Sequence, residues 1–438
     1  MKIHAIWRST LPAVALTALL SGCTAIHVRP AIDTPSAIRN QTGFSLPPDS
    51  ASTLPPGVDL SKPLTSDDAA AIALWKNPQL QVDLAALGLA RGDLIDAGLL
   101  RNPRVDLIIP AGLKPFELLL NFPVEVFLSR PFRVAASQAA YDQLAQNLVQ
   151  NGLNTLRDAR FAHADLVLAK EREIAGIAAS ELRKRIAQLT SRRLQAGDIS
   201  ELDEVAARSE EATAGEQLVR LQHDTVIAAE RLRILLGLSL DHPKIDVVTA
   251  PVAFASPPLP ADLLEKALIN RPDLRAAELG IVAATKRAKW EHSRILVLAG
   301  QLNSKGIGTN GILTSPGVSL ELPIFNRNQG LIARADADVL AASKQYLNLK
   351  QRVAFEVYES RELLVQAQDA LNRLRGQVIP PLQSAATLAG QQYEKGDVAY
   401  LFVLEQSRGL IDANLRLADT EAAVRRSQAQ LERSVGTK

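Results

Sequence analysis

Along this chain the spacing of apolar residues switches between helical and alternating periods in a fixed order, and the order occurs twice. Leu64-Thr65-Ser66-Asp67-Asp68 reads as a helix N-cap, followed by a short helix to Trp75 that Asn77-Pro78 restarts toward Leu100. The period then drops to two. Val105, Leu107 and Ile109 alternate, and Phe116, Leu118, Leu120, Phe122, Val124 and Val126 alternate against Glu117, Asn121 and Glu125. From Pro131 to Ala196 the helical spacing returns for about 66 residues, ~100 Å at the helical rise. A return helix is expected from about Ser200 to Leu236.

The second pass repeats each step. Ala261-Asp262 opens a short helix, Pro272 restarts it, and alternating strands are expected over Ile295 to Leu302 and Ile312 to Phe325, where Val318, Leu320, Leu322 and Ile324 oppose Ser319 and Glu321. A second long helix runs from Asn326 to Lys395, with Pro380-Pro381 expected to bend or interrupt it. The last helix, Ala399 to Ser434, carries Leu404, Ile411, Leu415, Ala418 and Ala422 as a coiled-coil-like seam.

The two passes superpose at a shift of 194 residues near their starts and 199 at their glycine turns, a few inserted residues apart. Ala73-Leu74 lies over Ala267-Leu268, Pro78 over Pro272, Leu80 over Leu274 and Ala90 over Ala284. Two glycine turns match as well: Leu194-Gln195-Ala196-Gly197-Asp198-Ile199-Ser200 and Tyr393-Glu394-Lys395-Gly396-Asp397-Val398, each with a leucine five positions after its glycine. Such self-similarity marks an internal duplication, with repeats over 63–240 and 241–438. The fold class is mainly α with a small β part. Paired long hairpins build walls, and an enzyme core is not expected.

The N-terminus carries processing signals. Lys2 and Arg8 precede an apolar stretch from Leu11 to Leu20, and Leu20-Ser21-Gly22-Cys23 looks like a bacterial lipobox, so 1–22 is expected to be removed and Cys23 lipidated. Cys23 is the only cysteine, which excludes a disulfide within one chain. Thr24 is not the aspartate that retains enterobacterial lipoproteins at the inner membrane, so outer-membrane sorting is expected. The Pro-, Ser- and Thr-rich stretch over 23–62 reads as an extended tether with no core of its own.

Charge narrows the partners. With Lys2 and Arg8 removed, 47 basic residues balance 47 acidic ones, which argues against a nucleic-acid partner. No later segment reaches the ~18 uninterrupted apolar residues of a spanning helix, so any membrane crossing must use strands. Aromatic residues make up only 4% against 47% hydrophobic, as suits long Ala- and Leu-rich helices packed side by side.

Candidate chemistry is sparse. Gly306-Ile307-Gly308-Thr309-Asn310-Gly311 fits the spacing of a dinucleotide-binding loop, but an alternating strand rather than a helix leads out, so a hairpin turn is expected. His163, His223, His242 and His292 are scattered without metal-ligand spacing and read as structural, and no catalytic, metal or cofactor site is expected. Acidic residues gather at the glycine turns. Asp198 and Asp397 read as helix caps. Asp203 and Glu405 lie within the following helices, where a solvated face and a ring around an aperture both remain open.

Lipobox, tether, duplicated hairpins, glycine turns and the junction Pro316-Gly317-Val318-Ser319-Leu320-Glu321-Leu322-Pro323-Ile324-Phe325-Asn326-Arg327-Asn328-Gln329-Gly330 together resemble the TolC-like outer membrane efflux protein family. The resemblance implies a homotrimer with a helical barrel reaching into the periplasm and four strands per chain contributing to a β-barrel in outer-membrane lipid. It also implies docking of a periplasmic adaptor and an inner-membrane transporter at the tips, through Leu194, Gly197, Asp198, Ser200, Tyr393, Gly396 and Asp397. Asp203 falls at the family's acidic aperture position, and Phe402 departs from it in the second copy, where Glu405 stands three residues on. Only 26 residues, Arg104 to Ser129, are available to the first strand hairpin and 33, Ser293 to Phe325, to the second, fewer than the family usually carries. A lipid-anchored periplasmic scaffold without a full pore is therefore the alternative to a conduit.

Overall fold

A computed structural model of the chain describes residues 32–47, 54–109, 116–239, 244–249, 255–295, 297–306 and 311–437. Cys23, the lipobox, His242 and most of the Gly306–Gly311 turn lie outside the described residues. The described residues divide into two compact units, one drawn from Leu87–Leu144 and Glu278–Ser343, the other from Asp33–Ala86, Ala145–Ala277 and Lys344–Lys438.

The first unit holds a four-stranded antiparallel sheet in the order β1-β2-β3-β4, with β1 Arg104–Ile108, β2 Glu117–Pro123, β3 Val297–Gly306 and β4 Ile312–Glu321. The central β2–β3 pair joins the two repeats. Register follows side-chain character: Leu107 pairs with Leu118, Leu120 with Leu302, and Leu298 with Leu320, so one face is mainly apolar across all four strands, broken by the Ser304–Thr314 pair. The opposite face carries the charged and amide residues, with Ile108, Leu119 and Leu313 among them. There Lys305 meets Glu117 at 2.7 Å, Asn121 Nδ2 donates to Asp106 at 3.1 Å, and Arg104 pairs with Asp106 at 2.8 Å. Val318 is 73% exposed and Val105 59%, so the apolar face lies open.

Strand ends differ from expectation. The alternation through Val126 does not continue as strand: β2 stops at Pro123, and α4 runs Glu125–Ala196 with Pro131 inside it. Arg130 Nε donates to the Gly98 carbonyl at 2.8 Å and Arg133 Nε to that of Ala97 at 2.9 Å. These arginines satisfy the orphan carbonyls at the end of α3, Pro78–Gly98, and favour helix where apolar period alone suggested strand. β4 likewise ends at Glu321, four residues short of Phe325. β3, by contrast, extends beyond Leu302 to Gly306.

The second unit is helical, and each repeat supplies its own core. In the first, α2 (Ser66–Lys76) packs Ile72 and Ala73 against Leu166 of α4 and Leu232 of α5 (Glu201–Leu235). In the second, Leu263 and Ala267 of α6 (Pro260–Asn270) pack against Val357 and Leu364 of α8 (Gln329–Arg373) and Leu431 of α10 (Tyr400–Val435). After α6, α7 runs Pro272–Ser293. Thr65 caps α2 in a full capping box with Asp68, whereas Leu259, N-cap of α6, forms no side-chain cap, contrary to the cap expected at Ala261-Asp262.

Equivalent positions keep equivalent bonds with different side chains. Asn77 Nδ2 donates to the Leu235 carbonyl at 2.8 Å, and Arg271, its counterpart, donates to the Ser434 carbonyl at 3.2 Å. Arg271 is 1% exposed, and burial opposes its charge, but bidentate Asp273 and Glu356 at 2.7 Å hold its pKa above the ordinary value. The repeats are laced together by ion pairs between α4 and α10, among them Arg172–Asp419 at 2.5 Å and Arg426–Asp165 at 3.0 Å.

The tether is not extended throughout. α1, Thr34–Thr42, buries Ile38 and Thr42, and Gln41 donates to the Asn270 carbonyl at 2.8 Å. The proline-rich composition that suggested an extended tether does not exclude a short helix that finds apolar cover. Pro380-Pro381 interrupt the second long helix as expected: α8 passes into a π-helical segment, Leu374–Val378, before α9, Ile379–Lys395. His163 is buried with Nε2 3.0 Å from the Leu64 carbonyl, which accounts for it structurally.

Candidate functional site

Both glycine turns lie in the helical unit, and the same backbone device builds them. Gly197 has φ +80° and Gly396 φ +89°, conformations in which a Cβ is strained. At the first turn the Gly197 N–H donates to Leu194 O and the Asp198 N–H to Arg193 O. At the second, Gly396 donates to Tyr393 O and Asp397 to Gln392 O. Each pair is a Schellman motif that satisfies the last carbonyls of a long helix.

Asp198 and Asp397 therefore serve the turns through their backbones, and neither caps the next helix as expected. The N-cap of α5 is Ser200, whose Oγ accepts from the Asp203 N–H at 3.2 Å and donates to the Asp203 carboxylate at 2.8 Å. Capping thus accounts for Asp203, contrary to the expectation from its place within the helix: it stands at the third position, where a side chain still reaches back to the cap. The second tip has no such device. Its N-cap is Ala399, without a side-chain bond, and Glu405 is exposed on α10.

Between the turns lies a small core of Ile186 and Ala187 on α4, Ala207 on α5, Ala389 and Tyr393 on α9, and Tyr400 with Val403 on α10. Tyr393 is its centre. The Arg193 guanidinium sits 4.8 Å from the Tyr393 ring centroid, and its NH1 donates to the Tyr393 carbonyl at 3.3 Å. A cation over an aromatic face contributes ~0.5–2 kcal/mol depending on desolvation. Tyr400 tilts against Tyr393 at 6.3 Å. Burial pushes the Tyr400 phenol pKa upward and that of Arg183 downward, and Arg183 donates to Ser407 at 2.9 Å. Leu194 is half-buried.

Alongside this core a cavity of about 440 Å³ opens between α4 and the second hairpin, floored by Leu182, Ile186 and Tyr393 and rimmed by Arg185, Arg192 and Glu394. Beyond it, Leu202 is 76% exposed and Leu401, its counterpart, 62%. The repeated leucine is visible in the sequence, but its exposure is not. The cavity and the role of Arg193 also escaped the sequence reading, which met Glu394 only as one of the charges at the second turn, because nothing local in a long helix reveals a distant aromatic partner. Among the described residues no group of three His, Cys, Asp or Glu could hold a metal ion, and no helix is long and apolar enough to cross a membrane.

Comparison with known proteins gives this geometry its context. Residues 263–437 match the outer membrane efflux protein family. The cobalt-zinc-cadmium resistance protein CzcC of Cupriavidus metallidurans is 26% identical over 383 residues, covering 85% of this chain and 90% of that protein. The cation efflux system protein CusC of Escherichia coli is 24% identical over 316 residues, 69% of this chain and 65% of CusC. The solved outer-membrane channel OprN superposes with a TM-score of 0.72 at 21% identity, covering 89% of this chain and 97% of that one, which shows a shared fold.

Proposed function

We propose that the chain, whose residues 263–437 match the outer membrane efflux protein family, belongs to that family and is the outer-membrane channel component of a tripartite efflux or type I export system. It is a passive, trimeric conduit. A periplasmic adaptor and an inner-membrane pump dock at its helical tips, and the lipid on Cys23 anchors it to the outer membrane. The observation that carries this reading is the pair of matched Schellman turns joined by the Arg193–Tyr393 contact, with Leu202 and Leu401 exposed beyond them. Exposed apolar side chains on a duplicated tip suit a protein partner. The open apolar face of the sheet, backed by a polar one, suits a wall between lipid and water.

Replacing Gly197 or Gly396 with valine is the direct test. Neither glycine has neighbours that crowd a Cβ, the nearest being the Arg193 side chain 3.7 Å from one added at Gly396, so the strain is confined to the turn. The alignment over 90% of CzcC makes cobalt, zinc and cadmium ions the first substrates to assay. Export normalised to outer-membrane protein is expected to fall in both variants. Undiminished normalised export in both would remove the tips from the mechanism.

A second reading rests on strand length. β1 has 5 residues and β2 has 7, below the ~9–11 of a spanning strand, whereas β3 and β4 have 10 each. A lipid-anchored scaffold with an incomplete barrel would follow if the short hairpin does not cross.

A further inference from the structure

The two repeats differ in charge where helix passes into strand. In the second, the junction neutralises itself: Arg294, one residue past α7, pairs with Glu291 at 3.2 Å, and Asn328 Nδ2 donates to the Glu291 carbonyl at 2.8 Å. In the first, three arginines gather at the end of α3 and the start of α4. Arg130 and Arg133 donate through Nε to the Gly98 and Ala97 carbonyls, and Arg133 donates also to the Leu99 carbonyl. These acceptors are neutral, so the bonds orient the guanidinium groups without cancelling their charge. Among the described residues, Arg101, Arg130 and Arg133 form no ion pair. Burial pushes the Arg133 pKa down, Asp96 opposes the fall, and the like charges of Arg101 and Arg130 add to it. All three side chains nevertheless stay cationic.

The cluster sits among apolar side chains that face solvent. Leu99 is 55% exposed, Phe127 61% and Leu128 63%. Arg104 of β1 pairs with Asn121 of β2, so α3 and α4 join the sheet at the same end. Arg101 stands three residues before β1, within ~10 Å of it even if the chain is fully extended. The helix α4 starts two residues after β2, and Arg130 and Arg133 lie ~8 and ~12 Å along it. The polar layer on either side of a bilayer's hydrocarbon core is ~5–8 Å deep. Arginine stems can cover apolar surface while their heads reach into that layer.

We propose that Arg101, Arg130 and Arg133 form a site for the phosphate of an anionic phospholipid headgroup, in the leaflet at this end of the sheet. Guanidinium forks match phosphate oxygens bidentately, and Leu99, Leu100 and Phe127 lie where acyl chains would cover them. A free phosphate ion would satisfy the arginines but leave those apolar side chains in water, so the surroundings select a lipid. The site rests on the reading of the open apolar sheet face as lipid-facing, and adds to it a headgroup chemistry at one repeat only.

The test is quenching of a single tryptophan by brominated lipid, in the full-length protein reconstituted into phosphatidylcholine vesicles. Leu100→Trp supplies the reporter, and Trp75→Phe with Trp290→Phe removes the other tryptophans beyond the leader. At equal lipid fraction, brominated phosphatidylglycerol is expected to quench the reporter more than brominated phosphatidylcholine. Arg101 is exposed and its side chain makes no hydrogen bond among the described residues, so replacing it spares the fold. Arg101→Gln is expected to lower the ratio of the two association constants about fivefold. Millimolar inorganic phosphate is expected to leave the ratio unchanged. Equal quenching by both lipids, or an unaltered ratio in Arg101→Gln, would overturn the site while the sheet stays in the bilayer. A preference abolished by inorganic phosphate would overturn it too, marking a free-anion site. Quenching by neither lipid would remove the lipid-facing sheet, and the site with it.

Discussion

His163 and Glu171 show what burial does to single ionisable groups. Burial lowers the His163 pKa below its ordinary 6.5, partly offset by the bond to Leu64, so the imidazole is neutral in the fold. A depressed pKa contributes stability that is present above the unfolded value and lost as pH falls toward the folded one. The thermal midpoint is expected to drop as pH falls below about 6.5, and His163→Gln to flatten that dependence, as melting curves across pH would show. Glu171 has the opposite sign. Burial raises its pKa above the ordinary 4.5 despite Arg425, so ionisation works against the fold as pH rises. Glu171→Gln is expected to raise the midpoint at neutral pH, with the gain vanishing below about 4.5, and an unchanged midpoint at every pH would contradict it. The roles of both residues were partly closed to the sequence. A structural His163 follows from the absence of ligand spacing, but nothing local announces that Glu171 meets Arg425 from a distant helix.

At the scale of elements, the tips are alike in their turns and unlike in their starts. Ser200 caps α5, and Ala399 leaves α10 without a side-chain cap. Ser200→Ala is expected to cost about 1 kcal/mol locally, read as faster amide exchange at the start of α5. Ala399→Ser is expected to slow exchange at the start of α10. Equal protection in both variants would show that the caps do not govern the tips. The elements themselves were legible where period and punctuation agreed: Asn77-Pro78, the glycine turns and Pro380-Pro381 each mark a real boundary. They failed where tertiary contacts overrode the pattern. Val124 and Val126 alternate like a strand, yet Arg130 and Arg133 bind the end of α3 and the chain is helical from Glu125. The composition over 23–62 likewise hid α1, which buries Ile38 and reaches the second repeat through the Gln41 bond to the Asn270 carbonyl.

For the whole molecule, the duplication explains most of what is seen: one core within each repeat, two turns that share a third, and a sheet whose central pair joins the repeats. What lay beyond the sequence is the arginine at Tyr393, whereas Pro380-Pro381 and the unequal hairpin lengths already marked the interrupted helix and the shorter first strands. The sheet leaves β1 and β4 as open edges with an exposed apolar face, and open edges invite further chains. Light scattering in mild detergent is expected to show a trimer, and a monodisperse monomer would contradict it. Cys23→Ser is expected to abolish lipid labelling. The central claim, that this chain is a conduit, is tested most directly by single-channel recording of the purified protein in planar bilayers. The account predicts discrete conductance steps that persist without adaptor or pump, and a lipid-bound protein that never conducts would contradict it and leave the scaffold.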